Sequence, residues 1–168
     1  AVAIGLRHGV EEFEGPLREA WASAARFQVR HIAHLEILDD TYNASPASMA
    51  AALQALAERP GGGRRFAALG EMLELGTAAG ALHAEVGEVA AKLGIHCLFA
   101  RGPHAHATIA AARDAGLTHA EVIDDHAAMA DAILALARPG DSVLVKGSRG
   151  MRMEKVIDAL AARFASQH

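Results

Sequence analysis

Cysteine is all but missing from this chain of 168 residues. Cys97 stands alone, so no internal disulfide can form, and its place in the apolar run Ile95-His96-Cys97-Leu98-Phe99 makes it a small buried hydrophobe suited to a reducing compartment. Positive charge is not in excess either: 16 Lys and Arg stand against 20 Asp and Glu, a formal charge of −4. Without a basic run or an RNA-binding signature, the chain has no electrostatic footprint for nucleic acid. No stretch approaches the roughly 18 consecutive apolar residues of a membrane span, and the start lacks the order of a secretory signal. These absences predict a cytoplasmic protein with neither a nucleic-acid nor a membrane partner.

Familiar catalytic signatures are absent as well. No G-x-x-x-x-G-K-[ST] phosphate loop occurs, and Gly61-Gly62-Gly63 precedes a strand-like run where a phosphate loop would follow one, so it reads as a turn. The ten histidines are scattered. His104 and His106 fall on opposite sides of any helix and His96 reads as buried in a strand, which argues against a zinc site. No Ser, Cys or Lys sits in a recognisable nucleophile setting.

What is present is alternation. Half the residues are hydrophobic, enough for one ordinary core. Short apolar runs at residues 35–38, 65–69, 95–99, 120–123 and 142–146 alternate with helical patterns. Met49, Leu53 and Leu56 share one helical face, as do Leu82, Val86, Val89 and Leu93; Met129, Ile133 and Leu136 form another, and Met153, Val156, Ile157, Leu160 and Phe164 the last. A further helix carries Ile109. Such alternation calls for βαβ crossovers, hence an α/β, Rossmann-like, doubly wound and mostly parallel sheet with helices on both faces. Residues 27–32 have the character of an added edge strand. Residues 1–6 resemble the end of a helix, and Trp21 and Phe27 are suited to anchoring residues 1–34 on a domain running from 35 to 168.

In open parallel sheets, ligands bind outside the carboxyl ends of the strands. The segments following the apolar runs are therefore the informative ones. Asp39 and Asp40 suit ribose hydroxyls or a metal, but are also common turn chemistry. Ser45 is a good N-cap and Pro46 fits the first helical turn. Lys146-Gly147-Ser148-Arg149-Gly150 is expected to open a helix whose amides, with Lys146, Ser148 and Arg149, hold a carboxylate or phosphate; the competing reading makes Ser148 only a cap and the two cations solvated. Gly70 and Gly147 favour close backbone approach. Glu71 and Glu74 either line the same cleft or satisfy local backbone donors.

Four motifs in series carry a resemblance: Leu38-Asp39-Asp40-Thr41-Tyr42-Asn43-Ala44-Ser45-Pro46 with Ser48-Met49; Leu69-Gly70-Glu71-Met72-Leu73-Glu74-Leu75-Gly76; His83 with Val86-Gly87; and Val145-Lys146-Gly147-Ser148-Arg149 with Met153-Glu154. In this order they resemble the carboxy-terminal domain of the Mur ligases, specifically the branch that adds D-alanyl-D-alanine to UDP-N-acetylmuramoyl-tripeptide. The resemblance covers residues 35–165, and residues 1–34 are similar to the end of the central ATPase domain. It implies an ATP-dependent amide ligase of peptidoglycan precursor synthesis, in which a central domain supplies the phosphate loop and most of the Mg2+ ligation, so that the present piece alone is inactive. By similarity, Asp40, Tyr42 and Asn43 face the nucleotide, Lys146, Ser148 and Arg149 bind the dipeptide, and Glu71, Glu74 and His83 match positions without an assigned role. Departures from the family pattern are mild: Glu71 stands where Asp is frequent, and His31-Ile32-Ala33-His34 replaces a Gly-containing turn. The rival readings are a free-standing nucleotide- or small-acid-binding module and the equivalent domain of a folylpolyglutamate- or cyanophycin-type ligase.

Overall fold

A computed structural model describes residues 28–166. The expected helix end at residues 1–6 and the anchoring roles of Trp21 and Phe27 lie outside the described residues. The strands are β1 (Gln28–Ile32), β2 (Leu35–Asp40), β3 (Arg65–Leu69), β4 (Cys97–Ala100), β5 (His119–Val122) and β6 (Ser142–Lys146), and the helices are α1 (Pro46–Ala57), α2 (Ala79–Lys92), α3 (Ala105–Asp114), α4 (His126–Leu136) and α5 (Glu154–Ala165). They build a six-stranded sheet ordered β1-β2-β6-β3-β4-β5, parallel throughout except for β1, which pairs antiparallel with β2 at the edge. The edge strand expected over residues 27–32 is thus present as β1. The last of the described strands, β6, lies between β2 and β3.

Strand alternation decides which side chain meets which helix layer. In β6, Leu144 joins the core beneath α1, α2 and α3, with Leu38, Ala67, Leu98, Met49, Leu53, Val86 and Ile109. Its neighbours Val143 and Val145 join the opposite core, with Ile37, Phe66, Phe99, Met129, Ile133, Val156 and Leu160 under α4 and α5. Every residue of β3 and β6 is buried, the signature of central strands covered on both faces. Burying a Leu- or Phe-sized side chain contributes about 1.5–3 kcal/mol, so these two layers supply the bulk of the driving force.

Local chemistry sets the element boundaries. Ser45 caps α1 in a reciprocal box, its Oγ accepting from the Ser48 amide while Ser48 Oγ accepts from the Ser45 amide, and Pro46 occupies the first turn. The glycine turn after α1 is closed by Arg65, which donates to the carbonyls of Arg59, Gly61 and Gly63. Helices α2 and α3 approach so closely at Gly87 that an added Cβ would lie 2.0 Å from the Thr108 carbonyl oxygen. Leu136, expected on the buried face of its helix, is 36% exposed at the last position of α4, where the core-facing stripe of the helix ends. His96 is likewise exposed: β4 begins one residue later, and His96 Nδ1 accepts from the Arg65 amide.

At the amino edge of the sheet, Asp141 is almost fully buried and accepts from the Arg64 and Arg138 amides and the Arg64 guanidinium at 2.7, 2.8 and 3.0 Å. Burial alone would raise its carboxyl pKa, but these donors together hold it below the usual aspartate value. Glu36 is also held low, by its hydrogen bond with Arg59, against the opposing cost of burial.

Candidate functional site

The carboxyl ends of β2 and β6 lie side by side, with Asp40 in register with Lys146. The strand β2 runs on through Asp39 and Asp40, which the sequence placed in a loop; the parallel ladder to β6 and the opposite charges at its end extend it. Lys146 is fully buried, and its Nζ donates to Asp40 Oδ2 at 2.7 Å and to the Asn43 carbonyl at 2.8 Å. Burial pushes the lysine pKa down while Asp40 pulls it up, and the net shift is downward. Lys146 therefore braces the loop after β2 and is not a free cation awaiting an anion. Asp39 is engaged too, accepting from the Thr41 hydroxyl at 2.8 Å and pairing with Arg30 at 2.9 Å.

Ser148 ties the neighbouring loops together. Its amide donates to the Glu71 carbonyl at 3.0 Å, its Oγ accepts from the Leu73 amide at 2.9 Å, and the same hydroxyl reaches the Ala44 carbonyl at 3.5 Å. It makes no side-chain cap, because the chain first takes a single 3-10 turn at Arg149–Met151, passes through Arg152 in left-handed backbone, and only then enters α5. The close approach expected at Gly70 and Gly147 is to the Met153 side chain and to each other. Arg149 is exposed, and its guanidinium stands 5.3 Å from the ring centroid of Tyr42, itself 48% exposed. Asn43 is exposed, its Oδ1 accepting from the Ala44 amide at 2.8 Å. The structure thus joins Asp40 with Lys146 and Tyr42 with Arg149 across one rim, where the sequence reading had assigned the two loops to different ligands.

A second cluster lies beyond β3. Glu71, only 3% exposed, contacts His83 Nε2 at 3.4 Å and His104 Nδ1 at hydrogen-bond distance. The three ligand-type atoms all lie within 4.8 Å of one another. Glu74, by contrast, is exposed in left-handed backbone, and among the described residues no hydrogen bond or ion pair joins it to Glu71 or His83. His104 was missed as a partner of Glu71. The available signal was its position just past the end of β4, on the rim that the sheet topology singles out. Arg101 and His126 were also missed: the Arg101 guanidinium meets the His126 ring, whose Nε2 lies 2.9 Å from the Met151 carbonyl.

This sheet, with polar side chains from four loops converging on its carboxyl edge, defines a Rossmann-like α/β domain of the doubly wound class. Residues 25–149 match the family model described as Mur ligase, glutamate ligase domain. The chain belongs to that family. It is 38% identical, over 96% of its length, to the UDP-N-acetylmuramoyl-tripeptide--D-alanyl-D-alanine ligase of Mycobacterium bovis, covering 36% of that protein. It is 40% identical to the Escherichia coli enzyme of the same name, over 74% of this chain and 26% of the relative. Among solved structures, MurF ligase from Thermotoga maritima in complex with ADP superposes with a TM-score of 0.73 at 29% identity, over 85% of this chain and 32% of that one. The chain thus spans about a quarter to a third of the length of these relatives. Among the described residues no helix is long and apolar enough to cross a membrane.

Proposed function

We propose that the chain acts as the carboxy-terminal domain of an ATP-dependent amide ligase that adds D-alanyl-D-alanine to UDP-N-acetylmuramoyl-tripeptide in the cytoplasm, closing over ATP and helping to hold the dipeptide. The observation that carries this reading is the 38% identity over 96% of the chain to a relative bearing that name. In this role Tyr42 and Asn43 face the nucleotide, with Asp40 and Lys146 bracing their loop from beneath. Arg149 is the exposed cation that receives the dipeptide carboxylate, and Ser148 fixes its loop through hydrogen bonds to two others. ATP supplies an acyl phosphate leaving group; the work of these side chains is to position the reactants and exclude water.

Mg2+ prefers an octahedral shell of oxygen ligands. On this rim Asp40 is taken by Lys146, Asp39 by Arg30 and Thr41, and Glu71 by two histidines. The described residues do not fit a Mg2+ site, and in this reading that ion is held mainly by a central domain of the whole enzyme. The test is steady-state kinetics of the whole enzyme carrying Arg149→Ala. The KM for D-alanyl-D-alanine is expected to rise at least about tenfold, as loss of a charged hydrogen bond of about 1.5–3 kcal/mol implies, with the ATP KM nearly unchanged. A rise confined to the ATP KM would move Arg149 to the nucleotide, and no change in either KM or in kcat would remove it from the site.

A further inference from the structure

We propose that Glu71, His83 and His104 form a binding site for one divalent ion of the zinc class, which cross-links the loop after β3, helix α2 and the start of α3.

Glu71 comes first. A carboxylate this deeply buried requires a compensating positive charge or several donors. Among the described residues only the imidazoles of His83 and His104 stand within ion-pair reach of it; no lysine or arginine does. One of its oxygens is already oriented: Oε2 accepts from the His104 amide at 3.2 Å. The other, Oε1, faces both imidazoles. Gly102 lets the next loop pass over this carboxylate, for a Cβ there would lie 2.7 Å from Oε2, and its φ of +111° suits glycine alone.

The histidines are arranged as ligands rather than as a simple ion pair. His83 is 4% exposed, and its Nδ1 lies 2.7 Å from the Ala79 carbonyl, the acceptor that fixes the proton on Nδ1 and leaves Nε2 unprotonated, 3.4 Å from Glu71 Oε1, with its lone pair accepting from the Met72 amide. A backbone carbonyl holding the far nitrogen is the usual outer support of a metal-bound imidazole. His104 stacks on His83, with ring centroids 5.1 Å apart and planes 24° from parallel, and brings Nδ1 to Oε1. Its side chain is 38% exposed, which gives the ion an entry path and a position for water as fourth ligand.

Two imidazoles and one carboxylate are the donor set of open zinc sites, and nitrogen donors select against Mg2+ and Ca2+. On binding, the ion takes the place of the proton between His104 Nδ1 and Glu71 Oε1 and displaces the Met72 amide, which donates to His83 Nε2 at 3.0 Å. The proton of a neutral His104 ring moves to Nε2 as Nδ1 takes up the ion, so the imidazole binds without net change in its protons.

The experiment uses the 168-residue chain stripped with a chelator and titrated with Zn2+, and separately with Co2+ as a spectroscopic probe. The expected result is one ion per chain, a rise in Tm with Zn2+, and visible Co2+ bands of tetrahedral intensity. His104→Ala, at a half-exposed position, and the near-isosteric Glu71→Gln should each weaken Zn2+ binding by about 100-fold or more, since each removes a ligand outright where loss of an outer partner alone costs 10–100-fold. His106→Ala serves as the control and should bind as the parent does. The proposal is overturned if the parent chain binds no Zn2+ at micromolar concentration. It is equally overturned if either ligand variant, shown folded by circular dichroism, binds Zn2+ as tightly as the parent.

Discussion

Lys146 Nζ and Asp40 Oδ2 meet 2.7 Å apart at the ends of two adjacent parallel strands, the lysine side chain fully buried and the aspartate nearly so. Removing one charge of such a pair strands the other, at a cost of about 3–5 kcal/mol, whereas replacing both by neutral groups of similar volume is far cheaper. Lys146→Met is therefore expected to lower the unfolding free energy by about that amount, and the double variant Lys146→Met with Asp40→Asn to regain most of it. Urea denaturation of the four proteins in the cycle measures this directly. A loss in the double variant equal to the sum of the two single losses would mean that the pair is not coupled.

The two depressed carboxyls at the opposite edge make the domain acid-sensitive. Glu36 and Asp141 both have folded pKa values below the ordinary range, so the unfolded chain takes up protons first. Their stabilising effect is complete above the unfolded carboxylate values near 4 and is lost as pH falls through the folded ones. A plot of Tm against pH should thus be flat across neutral pH and descend below about pH 4. Asp141→Asn should lower Tm at pH 7 while making the acid limb shallower. A parallel downward displacement of the whole curve would assign the acid sensitivity elsewhere.

Gly87 has no room to become anything else. An added methyl would meet the Thr108 carbonyl at 2.0 Å, and backbone on a neighbouring helix cannot step aside as a flexible side chain can. Gly87→Ala gains helix propensity of about 0.8–1 kcal/mol, yet the strain of forcing α2 from α3 is expected to exceed it, for a net loss of about 1–3 kcal/mol. Gly80, on the same helix, has only the His104 ring edge at 3.8 Å, so Gly80→Ala should be neutral or stabilising. Thermal melts of the two variants give the contrast.

On the proposed function, the isolated chain should show no ATP-dependent turnover with UDP-N-acetylmuramoyl-tripeptide and D-alanyl-D-alanine. Phosphoryl transfer needs a phosphate cradle and bound metal, and the sequence contains no Walker loop. A coupled phosphate-release assay, run beside a matched blank preparation, reads this out, and product above the blank would refute it.

Much of this architecture was legible because parallel strands buried on both faces read as short apolar runs, and the turn residues between them have few other uses. Ser45 and Pro46 announced α1, and the helix around Ile109 formed as expected, with Ile109 buried. Less legible were the positions where a partner distant in sequence decides the outcome. Asp39 and Asp40 look like loop residues until β6 supplies Lys146 more than a hundred positions later. Ser148 looks like a helix cap until Glu71 and Leu73 claim its amide and hydroxyl. His104 shows no helical or metal-ligand spacing with His83, and only the juxtaposition of the loop after β4 with α2 brings the two rings together.

The position of β6 also bears on how the chain comes off the ribosome. It is the last of the described strands to be made, yet it fills the gap between β2 and β3, so before residue 146 emerges the described strands pair as a hairpin, β1 with β2, and a three-stranded piece, β3 to β5. Each then carries a long apolar inner edge with unpaired backbone groups, the kind of surface on which nascent chains adhere to one another. Chains stalled or truncated ahead of Ser142 should accumulate in the insoluble fraction and be held by chaperones, while those extended past α5 should be released. The same ordering makes closure of the sheet a late, long-range event, so refolding should be slow for a domain of this size.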